Sequence, residues 1–276
     1  MNESKNYEKL TIRDKFLFGK ICSKAENRKL ILDALLQIDF IEKKGGIEQH
    51  IQPFKDAKYA RLDLLAEDVS GTVYDAEMQN KSRNKLIQEE LPKRSRYYQS
   101  LLDTKYLDSG KPYLSLPETF IIFICTFDPF NQDLPVYTFM NQCIENKDVY
   151  YSDAAHKIFF NTTADLSRLP KDMQNMLKYI NDGTALDEAT KTLEAEVNEA
   201  RLKEEWKEEY MLTYTIYDEL RAEAMAEGRA EGRAEGRAEG LAEGLASMQK
   251  EVDELNAQIA DKDKIIASLM EKIKQQ

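Results

Sequence analysis

The sequence predicts a mixed α/β core followed by a long helical tail. Short strand-like segments alternate with segments of helical periodicity up to about residue 180, the pattern of a sheet flanked by helices. Beyond residue 170, Pro, Phe and Cys no longer occur, and an Asn-Asp-Gly turn signal follows at 181–183. We therefore expect a core over residues 1–183, a helical extension over 184–226, a Glu-Gly-Arg-Ala repeat over 227–246 and a coiled coil over 247–276.

The first part of the core is predicted to contain helices and then a hairpin. Apolar residues at helical spacing indicate one or two helices over residues 14–37, and 47–54 is a weak strand candidate. Residues 60–68 and 72–79 are better strand candidates, and the Asp-Val-Ser-Gly-Thr sequence between them is typical of a hairpin turn.

The second part of the core is predicted to add one long helix and the centre of the sheet. Residues 83–107 predict a helix whose main body follows Pro92, since proline suits the first turn of a helix. The continuous apolar run at 119–127 is typical of a central strand buried on both faces. Residues 156–160 indicate another short strand, and a helix is expected from about 170 to 179.

Composition excludes several classes of protein and site. The net charge of −11, of which most lies in residues 187–276 with 23 acidic and 13 basic side chains, argues against a general basic coat for nucleic acid. Three unpaired cysteines and two distant histidines exclude zinc ribbons, disulfide frameworks and histidine-rich metal sites. No Gly-rich phosphate loop or nucleophile motif occurs.

The sequence shows neither a signal peptide nor a long apolar run. We therefore expect a soluble cytoplasmic protein that does not cross a membrane.

The hairpin has a predicted register that brings two acids face to face. If residues 69–71 form a three-residue loop with Gly71 left-handed, Asp63 lies opposite Glu77 and Arg61 opposite Gln79. Facing carboxylates repel at about 5 Å between their Cβ atoms, and a proton or a bound cation such as Mg²⁺ relieves that repulsion. A hairpin with one wet face also carries charged residues there, so the pattern alone leaves both interpretations open.

Four motifs in this order along the chain carry a family resemblance: RLD at 61–63, YDAEMQ at 74–79, LPKRSRYY at 91–98 and FICTFDPF at 123–130. They resemble the recombination-promoting nuclease (Rpn) family, transposase-like proteins of the PD-(D/E)XK nuclease superfamily. The similarity spans roughly residues 8–245, because the tail repeats are also similar to the family's tails. The resemblance implies a restriction-endonuclease-like core, a bacterial origin and metal-dependent cleavage of DNA.

The resemblance assigns roles to three hairpin residues. It makes Asp63 and Glu77 the catalytic acids that hold Mg²⁺ or another divalent cation, and it puts Gln79 where most of the superfamily has lysine. Glutamine cannot supply a positive charge or act as a base, but its amide can orient the attacking water or a phosphate oxygen. The proline that precedes the first acid is also replaced, by Leu62. Asp14 is either a further acid of the site or a helix N-cap.

The segment after the hairpin is locally basic. Residues 81–96 contain six basic and two acidic side chains and are followed by two tyrosines. With the motif context, this segment is predicted to contact DNA through Lys81, Arg83, Arg94 and Tyr97. The alternative is an ordinary solvated helix face.

The tail is predicted to assemble two copies of the chain. Heptad positions a and d are filled almost entirely by apolar residues: Val252, Ile259, Ile266 and Ile273 at a, and Met248, Leu255, Lys262 and Leu269 at d. This favours a parallel homodimeric coiled coil over an amphipathic helix folded onto its own core. The repeat is either a flexible tether or a helix with a strip of small residues.

Two functions are consistent with these observations. The first is a Mg²⁺-dependent DNA endonuclease of recombination-promoting or transposase-like type. The alternative is a non-catalytic DNA-binding or oligomeric interaction protein that retains the nuclease fold.

Overall fold

A computed structural model describes residues 7–51, 60–80 and 85–274. The chain divides into two compact units, Met1–Tyr210 and Met211–Gln276. The helices are α1 (Lys15–Ile21), α2 (Ala25–Leu36), α3 (Lys85–Tyr106), α4 (Lys171–Asp182), α5 (Glu188–Arg201) and α6 (Glu204–Lys274). The strands are β1 (Glu42–Ile51), β2 (Ala60–Asp68), β3 (Val73–Gln79), β4 (Thr119–Cys125), β5 (Val136–Phe139) and β6 (Ala155–Asn161).

The first unit is built on a mixed sheet with the strand order β1-β2-β3-β4-β6-β5. Strands β1, β2 and β3 are antiparallel neighbours, whereas β4 runs parallel to both β3 and β6. The apolar run predicted as a central strand is β4, and five of its seven side chains, from Ile121 to Cys125, are completely buried. The predicted fold class, a mixed sheet flanked by helices, is confirmed.

The β2–β3 hairpin has the predicted register. Leu64 pairs with Ala76, and Glu67 pairs with Val73. Gly71 has a φ of +89°, the left-handed conformation that glycine adopts without steric cost. The Asp68 carboxylate accepts hydrogen bonds from the backbone N–H groups of Ser70 and Thr72 and so closes the turn.

Helix α3 departs from the prediction at Pro92. The sequence predicts Pro92 in the first turn of the helix, but α3 begins at Lys85 and Pro92 lies in its interior. The ring removes one backbone donor and crowds the preceding turn, which disfavours an isolated helix. Packing outweighs that cost, because Leu91, Tyr98 and Leu102 of this helix are buried in one hydrophobic cluster with Val73 and Phe123 of the sheet.

Two strands of the sheet differ from the sequence prediction. Strand β1 begins at Glu42, earlier than the expected 47–54 segment, of which residues 52–54 lie outside the described part. Strand β5 was not predicted, since its four residues follow several turn-forming residues and give no periodic signal. It pairs with β6 and forms one edge of the sheet.

The first compact unit continues beyond residue 183. Gly183, with a φ of +81°, caps α4, and α5 then begins with a capping box formed by Asp187 and Thr190. Leu193 and Val197 of α5 are completely buried, and the Tyr7 hydroxyl donates a 2.8 Å hydrogen bond to the carbonyl of Ala200. These contacts make α5 part of the core unit.

The second unit, considered by itself, is the remainder of α6. It includes the repeat, which is helical although its five glycines, at every fourth position from 228 to 244, disfavour a helix. The apolar heptad residues farther along are exposed, for example Val252 at 47% and Ile259 at 56%. Among the residues described, no helix combines the length and the apolar character that a bilayer span requires.

Candidate active site

The two predicted acids meet where the β2–β3 ladder ends. Beyond the Leu64–Ala76 pair, the Asp63 backbone N–H donates to Glu77 Oε1 at 2.8 Å, and the Met78 N–H donates to Asp63 Oδ2 at 3.2 Å. Each carboxylate therefore accepts a backbone donor of the other strand. Asp63 is 2% exposed and Glu77 is fully buried.

A lysine from α1 lies between the two acids. Lys15 Nζ is 3.0 Å from Asp63 Oδ1 and 3.5 Å from Glu77 Oε2. Asp14 fixes the start of this helix, because its side chain caps the backbone N–H groups of Phe16 and Leu17. The N-cap interpretation of Asp14 is thus confirmed, and the neighbouring lysine, which sequence reasoning did not single out, reaches the acid pair.

Arg94 of α3 organises the other side of the site. Its Nη1 donates to Gln79 Oε1 at 3.0 Å, and its Nη2 donates to the Tyr98 hydroxyl at 3.0 Å. The same Nη2 lies 3.7 Å from Glu77 Oε2. Because arginine has only donors, this contact fixes the Gln79 carbonyl toward Arg94 and leaves its amide nitrogen on the other side.

A third acid, Asp75 of β3, is also buried in the sheet and was missed by sequence reasoning. It shares a strand face with Glu77 and Gln79, and this alternation was the available signal. Asp75 is completely buried, and no described group hydrogen-bonds either carboxyl oxygen. Burial, together with the charges of Glu77 and Asp63, raises the pKa of Asp75 well above its ordinary value, so the neutral acid is favoured.

The acid pair and its cations are electrostatically coupled. Burial and the charge of Asp63 raise the pKa of Glu77 to about 7, although Lys15 and Arg94 oppose the change. Partial burial lowers the pKa of Lys15, but the charges of Glu77 and Asp63 outweigh this and raise it above its usual value. Lys15 therefore stays protonated at neutral pH, whereas Glu77 lies close to its titration midpoint.

A scan against protein families matches residues 13–214 to the PD-(D/E)XK nuclease family transposases. The chain belongs to this family. The match begins just before α1 and ends within α6, so it includes the acid pair, Lys15, Gln79, Arg94 and the whole of α5. Neither the search of curated proteins nor the search of solved structures gave a match.

Membership of the PD-(D/E)XK nuclease family confirms the resemblance carried by the sequence motifs and supports a nuclease-like function.

The donor atoms of the site fit a hard divalent cation. Asp63 Oδ1 and Glu77 Oε2 both face one position, which the Lys15 ammonium takes up. Carboxylate oxygens are the ligands that Mg²⁺ prefers. Within residues 7–51, 60–80 and 85–274, no group of three or more His, Cys, Asp or Glu side chains is arranged to hold a metal ion. The pair would therefore hold the cation together with other oxygens.

The predicted DNA-contacting residues have different positions. Arg94 is in the site, whereas Lys81 and Arg83 lie outside the described residues. Tyr97 is half-buried against the hydrophobic cluster beneath α3, and its neighbour Tyr98 is a member of that cluster.

Proposed function

We propose that this member of the PD-(D/E)XK nuclease family transposases is a Mg²⁺-dependent DNA endonuclease. The observation that carries the proposal is the pair of buried carboxylates, Asp63 and Glu77, directed at one cation position. Family membership supports the nuclease activity, and the oxygen donors support the choice of ion.

Asp63 and Glu77 would hold the metal, with the backbone carbonyl of Met78 as a third oxygen. A bound Mg²⁺ supplies Lewis acidity, which lowers the pKa of a coordinated water and stabilises charge on the phosphate. The hydrogen bonds from the backbone N–H groups of Asp63 and Met78 keep both carboxylates in place before the substrate arrives.

Gln79 and Arg94 would orient the reacting groups. Arg94 holds the Gln79 carbonyl, so the amide nitrogen can donate to the attacking water or to a non-bridging phosphate oxygen. The Arg94 guanidinium adds a fixed positive charge beside Glu77. The nucleophile is water, so hydrolysis needs no covalent intermediate with the protein.

DNA would approach along α3 and the segment before it. Arg94 belongs to the site itself, while Lys93 and Arg96 are exposed on the same helix and can meet flanking phosphates. The sequence motifs add Tyr97 to the proposed DNA contacts, together with Lys81 and Arg83, which lie outside the described residues.

Two copies of the chain would join through α6. The exposed a and d residues between 248 and 269 provide a seam for a second helix, with β-branched residues at a and mostly leucine or methionine at d. A homodimer would bring two active sites to one DNA molecule.

The proposal is tested by cleavage of supercoiled plasmid, with Mg²⁺ against EDTA, by the wild type and by Asp63→Asn. This change keeps the side-chain shape and removes the charge that a cation requires. Glu118→Gln serves as the control, because it neutralises an exposed acid paired with His156. We expect metal-dependent nicking by the wild type and the control only.

A different result would favour the alternative function. If the wild type and Asp63→Asn are equally inactive with Mg²⁺, Mn²⁺ and Ca²⁺, yet both bind DNA in a fluorescence anisotropy assay, the protein is a DNA-binding module on a nuclease fold.

A further inference from the structure

Lys15 has the position of a counter-ion to the acid pair. Its ammonium contacts Asp63 and Glu77 at 3.0 and 3.5 Å, and its side chain is 47% exposed. The two carboxylates are almost completely inaccessible, so the lysine reaches them from the solvent side at the start of α1. Its four-carbon side chain can leave this position without disturbing the helix.

The ammonium and a divalent cation cannot share the site. Mg²⁺ binds carboxylate oxygens at about 2.1 Å, so an ion on Asp63 Oδ1 would lie within about 5 Å of an unmoved Lys15 Nζ. Repulsion between the two cations in a largely buried site would be strong. One of them must move, and the half-exposed lysine has the flexible side chain that can do so.

Arg94 provides the contrast. It also lies close to Glu77, at 3.7 Å, but its guanidinium is held by Gln79 and Tyr98 and its side chain is only 27% exposed. Among the described contacts of Lys15, the two acids are the side chains that hold its ammonium. Arg94 can therefore stay when a metal binds.

We propose that Lys15 is a built-in cation that neutralises the acid pair in the metal-free protein and is displaced when a divalent metal binds. This inference rests on the proposed function only in taking Asp63 and Glu77 as the metal site. Lys15 is a positioning residue: it keeps the two carboxylates together, and by competing with the metal it sets the metal concentration that the nuclease needs.

The first experiment measures Mg²⁺ and Mn²⁺ binding by isothermal titration calorimetry for the full-length wild type, Lys15→Met and Lys15→Arg. Removing the competing charge is expected to tighten metal binding by about tenfold or more in Lys15→Met, the effect of one close charge on a buried site. Lys15→Arg keeps a cation beside the acids and is expected to bind metal less tightly than Lys15→Met.

Lys29→Met is the matched control. Lys29 also bonds two acids, Asp33 and Asp39, and its side chain is 43% exposed, but it lies at the surface on α2. Its loss should leave metal affinity unchanged. Equal or weaker metal binding by Lys15→Met would overturn the inference, and so would the absence of metal binding by all four proteins.

A second experiment needs no variant. Lysine residues of the wild type are acetylated under limiting reagent in EDTA or in Mg²⁺, and modification is measured by peptide mass spectrometry. Metal binding should increase the labelling rate of Lys15 several-fold and leave that of Lys29 unchanged. An unchanged rate at Lys15, under conditions in which calorimetry shows the metal bound, would refute its displacement.

The two proposals fail separately. If metal displaces Lys15 but the wild type cuts no DNA, the nuclease proposal fails and the role of Lys15 stands. If the wild type cleaves DNA in a way that depends on Asp63, but Lys15→Met binds metal no more tightly, only the role of Lys15 fails.

Discussion

Replacement of Glu77 by glutamine should stabilise the metal-free protein at alkaline pH and change little near pH 5. Glutamine retains the carbonyl that accepts the Asp63 N–H, at 2.8 Å in the wild type, and removes the buried negative charge. The groups that act on this charge are Asp63, Asp75, Lys15, Arg94 and Tyr98.

The sign follows from the raised pKa of Glu77. In the folded protein the Glu77 carboxyl has a pKa of about 7, whereas its ordinary value is 4.5. The folded state therefore loses stability as pH rises from about 4.5 to about 7, because the unfolded chain ionises first. Above pH 7 Glu77 is ionised in both states, and the loss is complete. The difference corresponds to about 3 kcal/mol, at about 1.4 kcal/mol for each factor of ten in proton affinity. Most of this is expected as extra stability of Glu77→Gln at pH 8.

The assay is urea denaturation of the wild type and Glu77→Gln in EDTA at pH 5 and pH 8. Because Asp75 is present in both proteins and titrates with Glu77, the quantity to compare is how the difference between the two free energies of unfolding changes with pH. A difference that stays the same within about 0.5 kcal/mol would refute the raised pKa and, with it, the electrostatic account of the site.

Four further changes test other parts of the structure. Arg94→Met should lower the rate of plasmid cleavage on the order of 10–100-fold, because it releases Gln79. Arg96→Met, two residues along α3, is the control and should cleave at the wild-type rate when both proteins are saturated with DNA. Pro92→Ala should raise the free energy of unfolding by about 1–3 kcal/mol, and a loss in urea denaturation would contradict the interior position of the proline. Leu193→Ala should lower the free energy of unfolding by about 2–5 kcal/mol in the same assay, because this side chain is completely buried. An unchanged value would show that α5 is not part of the core. Ile259→Asp puts a charge in the seam and should give monomers in sedimentation velocity, whereas the wild type should sediment as a dimer. Ala257→Asp, at an outer heptad position, is the control and should also remain a dimer. Identical profiles for the three proteins would exclude this seam.

Metal affinity should depend on pH for the same reason as stability. Glu77 must be ionised to hold a cation, so Mg²⁺ binding measured by calorimetry should strengthen by about fivefold from pH 6 to pH 7 and by no more than about twofold above pH 7. A pH-independent affinity would mean that Glu77 is not a ligand.

Much of the candidate site could be predicted from the sequence because it depends on local rules. A glycine in a three-residue turn determines the pairing of β2 with β3, and strand alternation then puts Asp63 and Glu77 on one face. The apolar run of β4 likewise specified a buried central strand without reference to the rest of the chain.

The remaining features depend on residues distant in sequence, and only the tertiary structure decided them. Lys15 lies 48 positions before Asp63 and reaches it because α1 docks beside β2 and β3. The complete burial of Asp75 depends on the elements packed on the sheet. The packing of α3 on the sheet likewise keeps Pro92 inside a helix that local propensity disfavours. Local sequence determined which acids could meet, whereas long-range packing determined which cations neutralise them, since packing of separate elements has no periodic signal in the chain.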